Sequence, residues 1–335
     1  MQKSSTWQNS SSKLSIGALL EACLLVAQVY SSEPLLTSRK SELTLCNILG
    51  QAAGAFGLGE LHRLWDSAAL ATRMCSCGEI VLNCPVWRRV LRACYGSADT
   101  DALRPTFAAI ERHRDGCTRV RHMLPIPRAF APSLDQHLRA YRQALEAIYA
   151  SIGAVTGCQV AVDASKLPAY ARVLLGCRLD VRVLFLVRDA RATAYSWRRR
   201  KRTSVRGRTF TTAQYSWAAS AKEWLITNWA AERLARALPP GRLLRVRYED
   251  LMREPQPMLR QIARWAGLAE DSLPFTAPDQ VCLSTAHLLA GNQNRFRTGE
   301  VALRPDDEWT AAMPPRARQW VTLLTWPLLR RYGYL

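Results

Sequence analysis

Arg188 and Ser196 stand at the two ends of the stretch Arg188-Asp189-Ala190-Arg191-Ala192-Thr193-Ala194-Tyr195-Ser196. If a buried strand ends at the arginine and a helix follows, the guanidinium can fork onto an anion at the helix mouth. The serine hydroxyl, about two turns on, can donate a second hydrogen bond to it. The plainer reading is a strand–helix junction in which Arg188 pairs with Asp189. Cys75, Cys77 and Cys84 form a second chemically suggestive group. His62 or Cys94 would complete a set of four metal ligands, but this thiol spacing is not a usual zinc pattern. The expectation is buried thiols or a redox-sensitive pair, and no metal. A third group is the basic run Arg198-Arg199-Arg200-Lys201-Arg202 with Arg206 and Arg208. It reads first as a flap over an anionic ligand, then as a solvated helix end, then as a nucleic-acid contact.

These residues need a scaffold that puts Arg188 at a strand exit. Residues 182–187, Arg-Val-Leu-Phe-Leu-Val, are apolar and β-branched enough for a buried strand. Asp189 then caps a helix through Trp197. Upstream, 159–163 is a short apolar run ending on an acid, and 168–176 reads as a helix with a glycine stop. Downstream, 213–238 is helical and ends at Pro239-Pro240-Gly241. Residues 243–246 form a strand with Tyr248-Glu249-Asp250 at its exit, and 255–266 form a further helix. Strands alternating with helices predict a parallel sheet covered on both faces. Ligands of such sheets sit at the carboxyl ends of the strands. Residues 60–158 read as a mostly helical insertion with breaks near Pro105, Pro125, Pro127 and Pro132.

Charge narrows the class of partner. Lys+Arg number 46 against 27 Asp+Glu, a formal net charge of +19 over 335 residues. Such a field favours an anion: a nucleotide, a phosphate or sulfate ester, nucleic acid or a membrane surface. Nearly all of the basic residues are arginine, which suits bidentate grips on phosphate and sulfate, although a GC-rich genome would produce the same bias. Ten cysteines are too sparse for a disulfide scaffold and point to a reducing, cytoplasmic setting. The first residues differ in composition from the rest. Ser4, Ser5, Ser10, Ser11 and Ser12 make a polar start that is expected to be mobile. An apolar run follows at 14–30, interrupted by Glu21. It reads as a helix or a leftover, with a signal peptide or membrane anchor as the other reading. Residues 1–33 are therefore set apart from a main domain at 34–335.

The strand–helix segment at Arg188 and Ser196 resembles the 3′-phosphate-binding motif of sulfotransferases that use PAPS (3′-phosphoadenosine-5′-phosphosulfate). Asp163-Ala164-Ser165-Lys166 is similar to the family's D-x-S-K segment. Arg247-Tyr248-Glu249-Asp250-Leu251 resembles the strand exit near the adenine, and Gly291-Asn292-Gln293-Asn294-Arg295-Phe296-Arg297 the late loop that closes on the nucleotide. The C-terminal run from Arg304-Pro305-Asp306 to Tyr334 is similar to bacterial members. The resemblance spans 44–335, with its motifs in order. It implies a P-loop-NTPase-like α/β fold, with the helical insertion shaping the acceptor site. The family's glycine-rich first loop aligns with 37–44. There Lys40, Ser41 and Thr44 match its basic and hydroxyl positions, but none of its glycines is kept, and Glu42 adds a negative charge.

The resemblance further implies in-line transfer of a sulfuryl group from PAPS to a hydroxyl or amine acceptor, releasing adenosine 3′,5′-bisphosphate. Glu60, in a Gly-Glu segment like that of the tyrosylprotein-type branch, would take the acceptor's proton. Lys40 and Lys166 would face the sulfuryl charge. Ser41, Thr44, Arg188, Ser196, Tyr248, Arg295 and Arg297 would bind the donor. A surface glutamate and a helix-end lysine are the plainer readings of Glu60 and Lys166. The acceptor is left open among small molecules, saccharides, lipids and peptides. Two other readings stand beside this one: an impaired protein that keeps nucleotide binding, and a basic nucleic-acid-binding protein.

Overall fold

The computed structural model describes residues 22–28, 42–123, 133–199, 202–205, 208–211, 214–291 and 293–335. Its main sheet begins with β1 (Ala22–Gln28), followed by α1 (Glu42–Leu49) and β2 (Ala55–Gly59). Then come the helices α2 (Pro85–Tyr95), α3 (Thr100–Cys117) and α4 (Leu134–Thr156). The alternating body follows as β3 (Val160–Asp163), α5 (Pro168–Leu174), β4 (Val181–Val187) and α6 (Ala190–Arg198). A hairpin of β5 (Arg202–Val205) and β6 (Arg208–Thr211) leads to α7 (Trp217–Ala237), β7 (Leu243–Arg247), α8 (Tyr248–Arg253) and α9 (Pro255–Ala266). The chain closes with β8 (Phe275–Ala277), β9 (Gln280–Leu283), β10 (Gly299–Ala302), α10 (Trp309–Ala312) and α11 (Pro315–Arg331).

The five-stranded sheet has the order β2-β3-β1-β4-β7, with every pair parallel. This is the helix-flanked parallel sheet that the residue pattern predicts. Successive side chains of β4 serve opposite faces, as the strand period requires. Leu184 and Leu186 pack with Leu45, Ile48, Val246, Leu259 and Ile262 under α1 and α9. Phe185 and Val187 pack with Trp224, Val321 and Leu329 under α7 and α11. Both faces are covered from Val183 to Val187, which is why that run is apolar.

Residues 22–28 correct the reading of the apolar run as a helix, leftover or anchor. They form the middle strand of the sheet, bonded to β3 on one side and β4 on the other. A short apolar run cannot be assigned to helix or strand by periodicity alone, and pairing on both edges decides it. The sheet thus takes its central strand from inside the segment 1–33. No described helix is long and apolar enough to cross a membrane. The serine-rich start, the loop residues 37–41, and Pro125, Pro127 and Pro132 lie outside the described residues.

The helices α2, α3 and α4 enclose a cluster around Trp65, Trp87, Phe107, Tyr141 and Tyr149, all fully buried. The cluster continues into the sheet through Ala161, Val181 and Val183. Of the basic run, Arg198 ends α6, while Arg202 and Arg208 stand in the antiparallel pair β5–β6; Arg200, Lys201 and Arg206 lie outside the described residues.

Candidate active site

The predicted site residues leave the carboxyl ends of neighbouring strands. Glu60 follows β2, Lys166 follows β3, Arg188 follows β4, and Tyr248 follows β7. The strand β1 lies between β3 and β4, so its carboxyl end opens between Lys166 and Arg188. Lys40 and Ser41, in the connection between β1 and α1, lie outside the described residues. Thr44 falls in the first turn of α1.

Glu60 is turned inward rather than exposed at the surface. Its Oε1 is 2.9 Å from Lys166 Nζ and its Oε2 is 3.1 Å from Arg63 Nε. Burial by itself would raise the carboxyl pKa. The positive charges around it, led by Lys166, outweigh burial and hold the group at about 2. Burial also lowers the His62 imidazole to about 3, so that ring is neutral at physiological pH. At neutral pH the cations acting on Glu60 are therefore lysine and arginine. The turn that presents Glu60 depends on Gly59, whose φ is +73°. A Cβ there would stand 2.6 Å from the Ala290 carbonyl oxygen, and this same oxygen accepts the Glu60 amide at 3.2 Å.

A second layer holds this pair in register. Asp163, the last residue of β3, is completely buried. Its Oδ1 accepts the Ser165 amide at 2.8 Å and the Leu61 amide at 3.4 Å. Its Oδ2 accepts the hydroxyls of Tyr149 at 2.7 Å and Tyr170 at 2.9 Å. Ser165 Oγ in turn accepts the His62 amide at 3.1 Å. One carboxylate thus ties the loop of Glu60 to the loop of Lys166 and both to α4 and α5. From α3, Arg114 grips the Glu60 loop through the His62 carbonyl at 2.9 Å and Asp66 at 2.5 Å.

Arg188 is buried at the mouth of α6, which Asp189 caps by accepting the Arg191 amide at 2.7 Å. The Arg188 guanidinium lies over the Tyr248 ring, 4.7 Å from its centroid. Its NH2 donates to Asp306 Oδ2 at 3.0 Å and to the Asp306 carbonyl at 3.1 Å. The expected partner Asp189 instead pairs with Arg191 at 2.6 Å. Ser196 lies on the buried side of α6. Beside this group Tyr334 donates to Glu249 Oε2 at 2.5 Å, and Glu249 Oε1 accepts the Asp189 amide at 3.1 Å. The C-terminus is thereby fastened to the exit of β4.

Arg295 sits in the short turn Gln293–Phe296, with its guanidinium 4.3 Å from the Phe296 centroid. Burial lowers its pKa to about 10, and the attraction of Glu60 partly opposes that fall. Arg295 thus belongs to the Glu60 group, whereas Arg297 is exposed at the end of the turn. The structure therefore brings Glu60 to Lys166 and Arg188 to Tyr248 at strand ends on the same edge of the sheet, with Arg295 within electrostatic reach of Glu60. Sequence reading missed Arg63, although its spacing of three from Glu60 is a usual ion-pair signal. It also missed Asp306, whose pairing with Arg188 has no local signature. His62 and Cys94 do not join the thiols as ligands. The imidazole that lies beside them is His287, with Nδ1 3.2 Å from Cys84 Sγ.

A sequence model described as the sulfotransferase family matches residues 93–272. The chain belongs to the sulfotransferase family. The match covers β3, α5, β4, α6, α7, β7 and α9, and so includes Lys166, Arg188, Ser196 and Tyr248. Among solved structures, this sulfotransferase is similar to the sulfotransferase domain from the curacin biosynthetic pathway. The two are 15% identical with a TM-score of 0.48, over 91% of this chain and 97% of that one. It is also similar to the sulfotransferase domain from the Synechococcus PCC 7002 olefin synthase. There the identity is 16% and the TM-score 0.45, over 92% of this chain and 93% of that one. No curated protein matches it.

Proposed function

We propose that this sulfotransferase uses PAPS as donor and transfers its sulfuryl group to a hydroxyl or amine acceptor. The observation that carries this reading is the ordered exit of Glu60, Lys166, Arg188 and Tyr248 from parallel strands along one edge. The Arg188 subsite suits an anion. The Asp306 carboxylate on its guanidinium stands in for a phosphate oxygen, with a buried aromatic face behind it. PAPS, when bound, supplies an activated sulfuryl group for in-line transfer.

Arg188 and Ser196 hold the 3′-phosphate in this reading, and Tyr248 stands near the adenine. Arg295 and Arg297 close over the nucleotide, and Lys40, Ser41 and Thr44 line the phosphosulfate loop. Lys166 has two anions to serve. Drawing it toward the ligand removes the largest positive charge holding Glu60 down. The carboxylate then becomes a stronger proton acceptor once the cleft is filled. The insertion, which grips the Glu60 loop through Arg114, walls the acceptor side. We place the reaction in the reducing cytoplasm.

Calorimetry with adenosine 3′,5′-bisphosphate, followed by transfer of labelled sulfate from PAPS to a panel of phenols, saccharides, lipids and peptides, tests this reading. Micromolar binding and labelled product are expected. Binding without product across the panel would favour an impaired protein, with the glycine-free loop at 37–44 as the defect. No binding at millimolar ligand would remove the donor assignment.

A further inference from the structure

Cys75, Cys77, Cys84 and His287 each bring one donor atom into a space where all of these atoms lie within 4.8 Å of one another. Cys84 Sγ is 3.2 Å and Cys75 Sγ 3.9 Å from His287 Nδ1. Around a tetrahedral zinc ion, with Zn–S about 2.3 Å and Zn–N about 2.0 Å, adjacent donors stand about 3.3–3.8 Å apart. Three thiols with one imidazole are a soft donor set that suits zinc. We propose that these four residues bind one zinc ion as a structural site.

The surrounding backbone supports this assignment. The Cys75 amide donates to the Glu79 carbonyl at 2.8 Å, and the Gly78 amide donates back to Cys75 at 2.9 Å. A bridge between Met74 and Ile80 closes this turn. Cys84 is the residue before α2, which places its sulfur at the positive end of that helix. His287 is held on both sides. Trp87 Nε1 donates to the His287 carbonyl at 2.6 Å. Ser76, between the two thiols of the turn, donates through Oγ to Ala286 at 2.6 Å and accepts the Leu288 amide at 2.8 Å. Its own amide donates to the Leu288 carbonyl at 3.0 Å. Outer hydrogen bonds of this kind fix the orientation of metal ligands.

The zinc fastens the segment that carries His287 to the loop 75–84. From His287 the chain runs to Leu289, whose amide donates to Leu58 at 2.8 Å, and to Ala290, which accepts the Glu60 amide. The ion braces the backbone that sets Glu60 and Arg295. With four protein ligands it has no open position for chemistry.

Metal analysis of the full chain, purified under reducing conditions without chelator after growth with zinc, should find about one zinc per chain. Replacing that metal with Co²⁺ alone should produce thiolate-to-cobalt charge-transfer bands and the visible bands of a tetrahedral site. Cys84→Ser and His287→Ala should each lose at least tenfold in zinc affinity, whereas Cys94→Ser should keep it. Sub-stoichiometric zinc together with absent cobalt–thiolate bands in the wild-type protein would overturn the proposal, even if the variants do not fold. A Cys75–Cys84 disulfide mapped in protein isolated under the same conditions would overturn it too. None of these readouts depends on sulfate transfer, so this proposal and the donor assignment can fail separately.

Discussion

Glu60 and Lys166 leave adjacent parallel strands and meet as an ion pair at 2.9 Å, both largely shielded from water. Removing either charge strands the other in a poorly solvated place, which makes the pair a sensitive probe of the site. Glu60→Gln should lower kcat by about 10²–10⁴-fold, the usual weight of a positioned proton acceptor. Affinity for adenosine 3′,5′-bisphosphate should be unchanged. Single-turnover transfer of labelled sulfate, read beside calorimetry, separates the two effects. Equal loss of binding and transfer would place Glu60 in donor binding instead.

Arg188 and Asp306 make a second testable pair. Asp306 occupies the guanidinium that the donor reading reserves for a phosphate, so the carboxylate competes with the ligand. Arg188→Ala should weaken bisphosphate binding by about 10–100-fold, the range of a lost charge-assisted hydrogen bond. Asp306→Asn should tighten it several-fold. Calorimetry at fixed salt measures both. Weaker binding in Asp306→Asn would mean that Asp306 positions Arg188 rather than blocking it.

The depressed Glu60 pKa predicts an acid-labile term in stability. The folded-state value is about 2, against an ordinary glutamate value near 4.5. A lowered carboxyl pKa contributes stability above the unfolded value and loses it as pH falls through the folded one. The contribution should therefore be complete above about pH 5 and fade between about pH 4.5 and 2. Its size is of the order of 3 kcal/mol. Urea unfolding of the wild type and Glu60→Gln should show a gap at neutral pH that narrows toward pH 3. A gap independent of pH would show that the ion pair carries no such linkage.

Asp163 predicts a stability defect coupled to function. Asp163→Ala would leave the Tyr149 and Tyr170 hydroxyls and the Ser165 amide without their acceptor. A loss of about 3 kcal/mol or more is expected from several buried groups left unsatisfied. Tyr149→Phe, which removes one hydrogen bond and keeps the ring, should cost about 1 kcal/mol. Chemical denaturation measures both, and an Asp163→Ala variant as stable as the wild type would remove Asp163 from its bracing role.

The regular half of the molecule was legible because its signals are local. The strand at 182–187 is apolar on both sides, Asp189 caps the next helix, and Pro239-Pro240-Gly241 stops a long one. Each signal depends on neighbours within a turn or two. The structure reproduces those elements within a few residues. The apolar run near the start was misread for the same reason. Cys23, Leu24 and Leu25 suit a helix or a strand equally well, and only pairing with β3 and β4 selects the strand.

By itself the sequence determined the alternation of strands and helices from residue 159 on, and the residue types at those exits: Lys166, Arg188 and Tyr248; the strand that carries Glu60 came from the structure. The alternation and those exits follow from backbone preferences and hydrophobic period, which act over short stretches of chain. The tertiary structure alone decided which groups meet. Lys166 settles on Glu60, Asp306 on Arg188, and His287 on the thiols of Cys75, Cys77 and Cys84. Each meeting joins parts of the chain that only the packing of the whole sheet brings together. Charge pairing and ligand geometry act through space, and no spacing along the chain encodes them.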